Sequence, residues 1–192
     1  MGGVVTGGSL EEKVQKLCDQ QAIESLLNRY SRGFDRCDVE AAKATYWPEA
    51  WDDHPGFCGN AAGMCAQSDE VHRQNWDSTQ HYICNNEIDL DGTTAHVESY
   101  FFLAARLKGS FEMLLVGGRY LRRVEKRGDE WRIAASVCVL DWSSDANVLE
   151  SLTKISSASS RGPDDWVYHR PLRVTRGQFE GHALLDESKA AP

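Results

Sequence analysis

The sequence predicts an α+β domain in which helices precede an antiparallel sheet. Apolar residues recur every three or four positions up to about residue 76 and alternate with polar residues from His81 onward. Turn dipeptides such as Asp91-Gly92 and Gly128-Asp129 separate the alternating runs, as in a β-meander. Helices followed by a meander are typical of a sheet with helices packed on one face, and such a sheet leaves an apolar pocket between the two layers.

The composition is that of a globular chain with a single core. The 192 residues carry 21 Lys and Arg against 29 Asp and Glu, a formal net charge of −8, and 41% are hydrophobic. The acidic balance disfavours nucleic acid as a partner, and the longest apolar run, residues 100–105, is too short for a membrane span. Because no secretory signal and no Cys-x-x-Cys pair is found, we expect a cytoplasmic protein with reduced thiols.

The first helix begins at a capping box. Ser9 is followed three residues later by Glu12, so the two side chains can satisfy each other's free backbone N–H groups. Apolar residues then recur at helical spacing to about Gly33, where the helix is expected to end, and Tyr30 lies on the apolar face. The Gly-rich residues 1–9 are expected to form a flexible leader.

Two shorter helices are predicted downstream. Asp38 is a suitable N-cap for a helix that must end before Pro48, because the residue before a proline is pushed out of the helical region. Ser68 is the predicted N-cap of a third helix, which runs to about Trp76. His72 lies on this helix, and we expect it at the surface.

Four strands follow, each bounded by a turn signal. They are predicted over residues 81–90, 95–107, 111–124 and 131–139. The domain is expected to span residues 10–142. Residues 143–192 are richer in serine and contain a Gly-Pro step, so we expect them to form a C-terminal arm or a lid.

Three residues at the ends of these elements are candidates for catalysis. Tyr30 lies near the end of the first helix, Asp35 just after it, and His81 at the start of the first long strand, so their side chains can converge on one pocket mouth. An imidazole held by a carboxylate is a general base near neutral pH, and a tyrosine adds a hydroxyl donor. The alternatives are that Asp35 caps a loop, Tyr30 is a core aromatic and His81 is a hydrogen-bonded strand residue.

Further polar residues are candidates for the pocket. Asp52, Asp53 and His54 have the chemistry of metal ligands, but adjacent residues of an extended segment point in opposite directions, so a hydrogen-bonded turn at the pocket rim is favoured and no metal site is expected. His96 is a second pocket histidine or a satisfied sheet residue. With core packing as the alternative for the aromatic members, the predicted pocket residues are Tyr46, Trp51, His54, Phe57, His96, Phe102, Met113, Arg119, Tyr120 and Trp142.

Five stretches of the chain carry a resemblance to a known family. They are residues 21–38 (QAIESLLNRYSRGFDRCD), 52–54 (DDH), 78–81 (STQH), 117–120 (GGRY) and 130–133 (EWRI). In this order and spacing they resemble the SnoaL-like branch of the nuclear transport factor 2-like superfamily over residues 10–142. The resemblance implies a cystatin-like cone, in which N-terminal helices pack on a strongly curved antiparallel sheet that encloses a pocket.

The resemblance also implies a chemistry. The chain is similar to scytalone dehydratase, bile acid 7α-dehydratase and hexachlorocyclohexane dehydrochlorinase, in which an Asp–His pair removes a proton during elimination. Asp35 and His81 match that pair, and Tyr30 matches a tyrosine of the dehydratases. The resemblance implies that no metal and no organic cofactor is needed. It also implies a homo-oligomer, with a trimer favoured over a dimer.

One position departs from the pattern of the dehydrochlorinase. That enzyme has an arginine five residues after a tryptophan, whereas here Ser136 follows Trp131 at this spacing. Halide elimination by that scheme is therefore not expected. Arg119 or Arg122 is a candidate to supply positive charge instead, and strand parity puts these two on opposite faces.

We therefore expect a cofactor-independent lyase that acts on a hydrophobic, ring-containing small molecule. His81, oriented by Asp35, takes a proton, and Tyr30 hydrogen-bonds an oxygen of the substrate or leaving group. Loss of water and formaldehyde-releasing cleavage of a lignin-derived diaryl compound are two outcomes of such chemistry. The alternatives are a non-catalytic small-molecule binding domain and an isomerase similar to ketosteroid isomerase, which uses a carboxylate base.

Overall fold

Three helices and six strands make up the part of the chain that the computed structural model describes, residues 8–147. The elements are α1 (Leu10–Asp35), α2 (Val39–Lys43), β1 (Tyr46–His54), β2 (Phe57–Asn60), α3 (Ala61–Asn75), β3 (Trp76–Asp91), β4 (Thr94–Leu107), β5 (Glu112–Arg127) and β6 (Glu130–Asn147). The predicted leader, apart from its last two residues, and residues 148–192 of the predicted arm lie outside the described residues. None of these helices is long and apolar enough to cross a membrane.

The six strands form one open sheet in the order β2-β1-β6-β5-β4-β3. Strands β3 to β6 form the predicted antiparallel meander, and Gly92 and Gly128 adopt the positive φ values, 60° and 62°, that its tight turns require. The predicted α+β class is confirmed, but the sheet is mixed rather than antiparallel throughout, because β1 runs parallel to β6. Strand β1 was not predicted, because Pro48 and two adjacent aspartates break its alternation of apolar and polar residues. In the structure its pairing with β6 shifts register between Tyr46 and Trp51.

The first two helices form where the local signals place them. The Ser9 Oγ accepts the Glu12 N–H at 3.2 Å, and Glu12 accepts the Ser9 N–H at 2.7 Å, so the capping box is confirmed. Helix α1 continues two residues past Gly33. This glycine allows close packing rather than ending the helix, because a Cβ there would lie 2.8 Å from the Ala42 backbone nitrogen on α2. Asp38 caps α2, as predicted.

The third helix begins earlier than predicted. Asn60, not Ser68, is its N-cap, and the Asn60 side chain accepts the Ala62 N–H at 3.0 Å. Ser68 lies at the middle of the helix, where its hydroxyl contacts the Met64 sulfur. Because β3 starts directly after this helix, at Trp76, the sheet also begins earlier than the period-2 pattern indicates.

The core lies between the helices and the concave face of the sheet. Helix α1 buries Ile23, Leu26 and Leu27 against it. Asp19 ties the helix to the β5–β6 hairpin, accepting hydrogen bonds of 2.8 Å from both Lys126 and the Trp131 indole. Burial acts to raise the pKa of Asp19, but these hydrogen bonds, with one from Gln15, outweigh it and hold that pKa below its ordinary value.

Candidate active site

A cavity of about 300 Å³ opens between α3 and the inner face of the sheet. Its wall is mainly apolar, which suits a hydrophobic small molecule. The apolar lining includes Phe57, Met64, Val71, Trp76, Phe101, Leu103, Leu114, Val116 and Leu140. The polar lining consists of three histidines, His54, His72 and His81, together with Tyr120, Gln67 and Ser68.

The Asp35 carboxylate holds His81 at two points. Asp35 Oδ1 lies 2.6 Å from the imidazole Nδ1, and Oδ2 accepts the His81 backbone N–H at 2.9 Å. Both side chains are largely buried, with exposures of 13% for Asp35 and 8% for His81. Since a carboxylate oxygen can only accept, the neutral imidazole carries its proton on Nδ1 and presents the Nε2 lone pair to the cavity. Asp35, at the end of α1, and His81, on β3, thus form a pair whose imidazole can accept a proton.

His72 packs beside this pair. Its ring stacks on His81, with centroids 5.9 Å apart and an interplanar angle of 8°. The Phe34 ring, on α1, also lies beside His81, with the ring centroids 6.4 Å apart. His72 is half-buried and lines the cavity, so the expectation of a surface residue is wrong. The stack restricts the orientation of the His81 ring.

A second carboxylate–histidine pair comes from β1. His54 lines the cavity, and its Nδ1 lies 3.0 Å from Oδ1 of the fully buried Asp52. The other Asp52 oxygen accepts the Tyr46 hydroxyl at 2.7 Å. The predicted hydrogen-bonded arrangement at the pocket rim is present, although in a strand rather than a turn. Among residues 8–147, no cluster of three or more His, Cys, Asp or Glu side chains has the geometry of a metal site.

Three buried tyrosines form a cluster next to the cavity, and two of them stack on one guanidinium. Tyr30 packs edge-on against Tyr46 and Tyr120, with centroid distances of 6.0 and 5.6 Å. The Arg122 guanidinium carbon lies 4.3 Å from the centroid of the Tyr30 ring and 4.0 Å from that of the Tyr120 ring. Burial raises the pKa of all three phenols well above its ordinary value, so they remain hydrogen-bond donors at neutral pH.

Arg122 shares one row of the inner sheet face with Ser136 and Asp52. Ser136 pairs with Arg122 on β5 and with Asp52 on β1. Within residues 8–147, the guanidinium nitrogens of Arg122 have no hydrogen-bond partner. The two aromatic faces and the nearby Asp52 carboxylate therefore stabilise this charge. Arg119, the other arginine considered above, lies on the outer face and pairs with Asp141 and Glu98.

Cys138 is the one thiol in the cavity wall of the described chain. Burial raises its pKa to about 12, and the same effect raises the pKa of Cys65 in the core to about 12. Because the thiolate is the nucleophilic form, the thiol of Cys138 is unreactive at neutral pH. Acid–base chemistry by the histidines therefore suits this cavity better than covalent catalysis.

The structure brings together only part of the predicted pocket. His54, Phe57 and Tyr120 line the cavity with His81. Tyr30 and Tyr46 are buried in the core and are absent from its wall. Contrary to expectation, six predicted residues lie on the outer face of the sheet, and these are Trp51, His96, Phe102, Met113, Arg119 and Trp142.

The misplaced residues follow from strand parity. His96 and Phe102 do share one face, as predicted, but the alternate residues Ala95, Val97 and Phe101 are the ones buried against the helices. Periodicity separates the two faces of a strand without indicating which one is inside. The small Ala95 and the glycines of β5 weaken the apolar signal of the inner face.

Comparisons with known proteins agree with this geometry. A SnoaL-like domain model matches residues 15–137. Among curated protein sequences, none matches the chain significantly.

Solved structures share the fold at low sequence identity. A protein assigned as a scytalone dehydratase from Novosphingobium aromaticivorans is 21% identical, with a TM-score of 0.64 over 71% of this chain and 93% of that one. Hexachlorocyclohexane dehydrochlorinase type 3 from Novosphingobium barchaimii is 15% identical, with a TM-score of 0.64 over 71% and 96%. A cystatin-like protein of unknown function from Nostoc punctiforme is 18% identical, with a TM-score of 0.55 over 65% and 92%. The chain belongs to the SnoaL-like domain family.

Proposed function

We propose that this protein is a cofactor-independent lyase that acts on a hydrophobic, ring-containing small molecule. The observation that carries the proposal is the Asp35–His81 pair, whose 2.6 Å contact fixes the imidazole at the wall of an apolar cavity. Family membership adds support, since dehydratases and dehydrochlorinases share the fold.

In the proposed reaction His81 is the general base. Its Nε2 takes a proton from a carbon or hydroxyl of the substrate, and Asp35 stabilises the imidazolium that forms. Such a base contributes roughly 10²- to 10⁴-fold to the rate. Of the described residues 8–147, those that line the cavity include no carboxylate to act as the base, which favours elimination at His81 over isomerisation by a carboxylate.

Tyr120 is the phenol that a substrate oxygen meets. It lines the cavity, while Tyr30 lies behind it in edge-on contact at 5.6 Å. Tyr30 is therefore a positioning residue in this proposal. Arg122, stacked on both rings, adds positive charge at this wall and stabilises negative charge that develops on the substrate.

Two bond cleavages are compatible with this site. Removal of a carbon-bound proton leads to loss of water. Removal of a hydroxyl proton starts the release of formaldehyde from a lignin-derived diaryl compound, as in the breakdown of aromatic compounds. The mainly apolar wall of the cavity suits the hydrophobic substrates of both reactions.

The test is a comparison of the wild type with His81→Gln and Asp35→Asn. The panel consists of hydroxylated steroids, polyketides, diaryl propanoids and the aldol adduct of benzaldehyde and acetone, with water loss followed by mass spectrometry and formaldehyde by chemical trapping. We expect turnover by the wild type and its near-complete loss in both variants. Binding by all three proteins without turnover by any of them would show a binding domain instead.

We also propose that the protein assembles as a homo-oligomer, a trimer in preference to a dimer. The outer sheet face exposes large apolar side chains, among them Tyr82 (53%), Tyr100 (47%) and Trp142 (50%). Light scattering on the full chain tests this, and a monomer at micromolar concentration refutes it.

A further inference from the structure

The Asp52–His54 pair repeats the arrangement of the Asp35–His81 pair on different elements. In both, a carboxylate oxygen contacts Nδ1 and leaves Nε2 as the nitrogen that faces the cavity. His54 lies on β1 and His81 on β3, and β6, β5 and β4 separate these strands in the sheet. A molecule in the cavity therefore has one carboxylate-held imidazole on each of two walls.

Groups from two strands fix the position of the His54 ring. From its own strand it faces Asp52, which is fully buried and keeps both oxygens engaged, one by His54 and one by Tyr46. From β5 it faces Tyr120, whose ring centroid is 5.8 Å away and which also stacks with Arg122. The contact between Nδ1 and the buried carboxylate orients the ring so that Nε2 is the nitrogen available to a molecule in the cavity.

The His54 side chain is also more exposed than that of His81. Its side chain is 23% exposed, against 8% for His81. Within residues 8–147, no hydrogen bond to Nε2 of His54 is formed, so that nitrogen is open to a molecule in the cavity. A histidine with a purely structural role in a buried network satisfies both of its nitrogens.

On the basis of the proposed lyase function, we propose that His54 is the general acid of the reaction and Asp52 its positioning residue. His81 Nε2 takes the proton of the substrate C–H bond, and the electron pair of that bond forms the new double bond. The C–O bond breaks with its electrons on oxygen, which takes the Nε2 proton of His54 and leaves as water. Between turnovers His81 returns its proton to solvent and His54 takes one up.

The experiment compares two leaving groups. The probes are the aldol adduct of benzaldehyde and acetone, which loses water, and its acetate ester, which loses acetate and needs no proton. Both give the same conjugated enone, whose ultraviolet absorbance reports the rate above the uncatalysed background. We expect His54→Gln to lower kcat/KM for the hydroxyl compound by roughly 10²- to 10⁴-fold and for the ester by less than about 10-fold. His81→Gln should lower both rates.

Two controls keep the outcome interpretable. His96→Gln removes an exposed histidine on the outer face and should change neither rate. Asp52→Asn should likewise lower kcat/KM for the hydroxyl compound and not for the ester. Agreement between the two variants would show that the loss does not come from a folding defect of His54→Gln alone. Equal losses on the two compounds would overturn the acid role, because they indicate that His54 only shapes the cavity.

A second readout is independent of turnover. In protein with ¹⁵N-labelled histidine, a naphthol should shift the Nε2 resonance of His54 and naphthalene should not, with the signal assigned from its loss in His54→Gln. A wild type inactive on the whole panel refutes the lyase function and the acid role together. The naphthol shift then shows separately whether Nε2 binds a ligand hydroxyl, and its absence removes that claim as well.

Discussion

Replacement of Asp35 by asparagine isolates the orientation of His81. The amide has the size of the carboxylate but only one acceptor oxygen. That oxygen must face the His81 backbone N–H, a donor now 2.9 Å from Oδ2. The amide NH₂ group then faces Nδ1 across the present 2.6 Å contact, so Nδ1 must accept and the imidazole proton moves to Nε2.

The same change costs stability that can be estimated from these two contacts. Hydrogen bonds to a charged group contribute about 1.5–3 kcal/mol each, against about 1 kcal/mol for neutral ones. Asp35→Asn converts both contacts to neutral ones, so we expect a loss of about 2 kcal/mol. For a domain of this size this lowers Tm by roughly 4–8 °C.

Imidazole ¹⁵N spectra measure the tautomer directly. At a pH where the ring is neutral, we expect the wild type to carry the His81 proton on Nδ1 and Asp35→Asn to carry it on Nε2, with turnover lost because no lone pair faces the cavity. The matched control is Asp77→Asn. Asp77 likewise accepts from a side chain, Arg106, and from a backbone N–H, that of Gly109, but it is 31% exposed and does not line the cavity. The Asp77→Asn variant should lose less than about 1 kcal/mol of unfolding free energy and leave the His81 tautomer unchanged. A wild-type His81 with its proton on Nε2 would refute the reasoning.

Three further predictions concern stability and reactivity. Gly118→Ala places a Cβ 2.2 Å from the Val139 carbonyl oxygen, so we expect a loss of about 1–3 kcal/mol, and an unchanged denaturation midpoint would contradict the packing. The folded-state pKa of Asp19 lies below its ordinary value of 3.8, so its contribution is present above that value and is lost as pH falls through the folded pKa. The stability deficit of Asp19→Asn at neutral pH should therefore vanish in acid, and a constant deficit in pH-dependent unfolding would argue against it. Iodoacetamide at mildly alkaline pH should modify the exposed Cys18 and spare Cys138, whose pKa burial raises to about 12, until the protein unfolds; mass spectrometry of the native protein decides.

Local signals made much of the fold predictable. Ser9 and Glu12 mark the start of α1 because a capping box involves only neighbouring residues, and Gly92 marks a hairpin turn for the same reason. Strand β1 was not predictable in this way. Its parallel pairing with β6 depends on a strand much later in the chain, and Pro48 hides its period.

The site was predictable to a smaller extent. Asp35 is the last residue of α1, but His81 lies inside β3 rather than at its start. The spacing indicated only that the two side chains can converge, and the family resemblance favoured the pair over the structural alternatives. His72 was missed because its position in the cavity wall depends on how α3 packs against β3, which periodicity does not show. Arg122 was seen only as an alternative to Arg119, since the sequence separates two faces of β5 and does not show which one packs against Tyr30.

The two histidine pairs differ in how far apart their partners lie along the chain. Asp52 and His54 are two residues apart, whereas Asp35 and His81 are separated by 46. The first pair can form as soon as β1 becomes extended, but the second requires α1 to dock on β3, and closing that longer loop has a larger entropic cost. In a refolding experiment, His54 should therefore reach its native environment before His81 does, and proton abstraction should be among the last properties the chain regains.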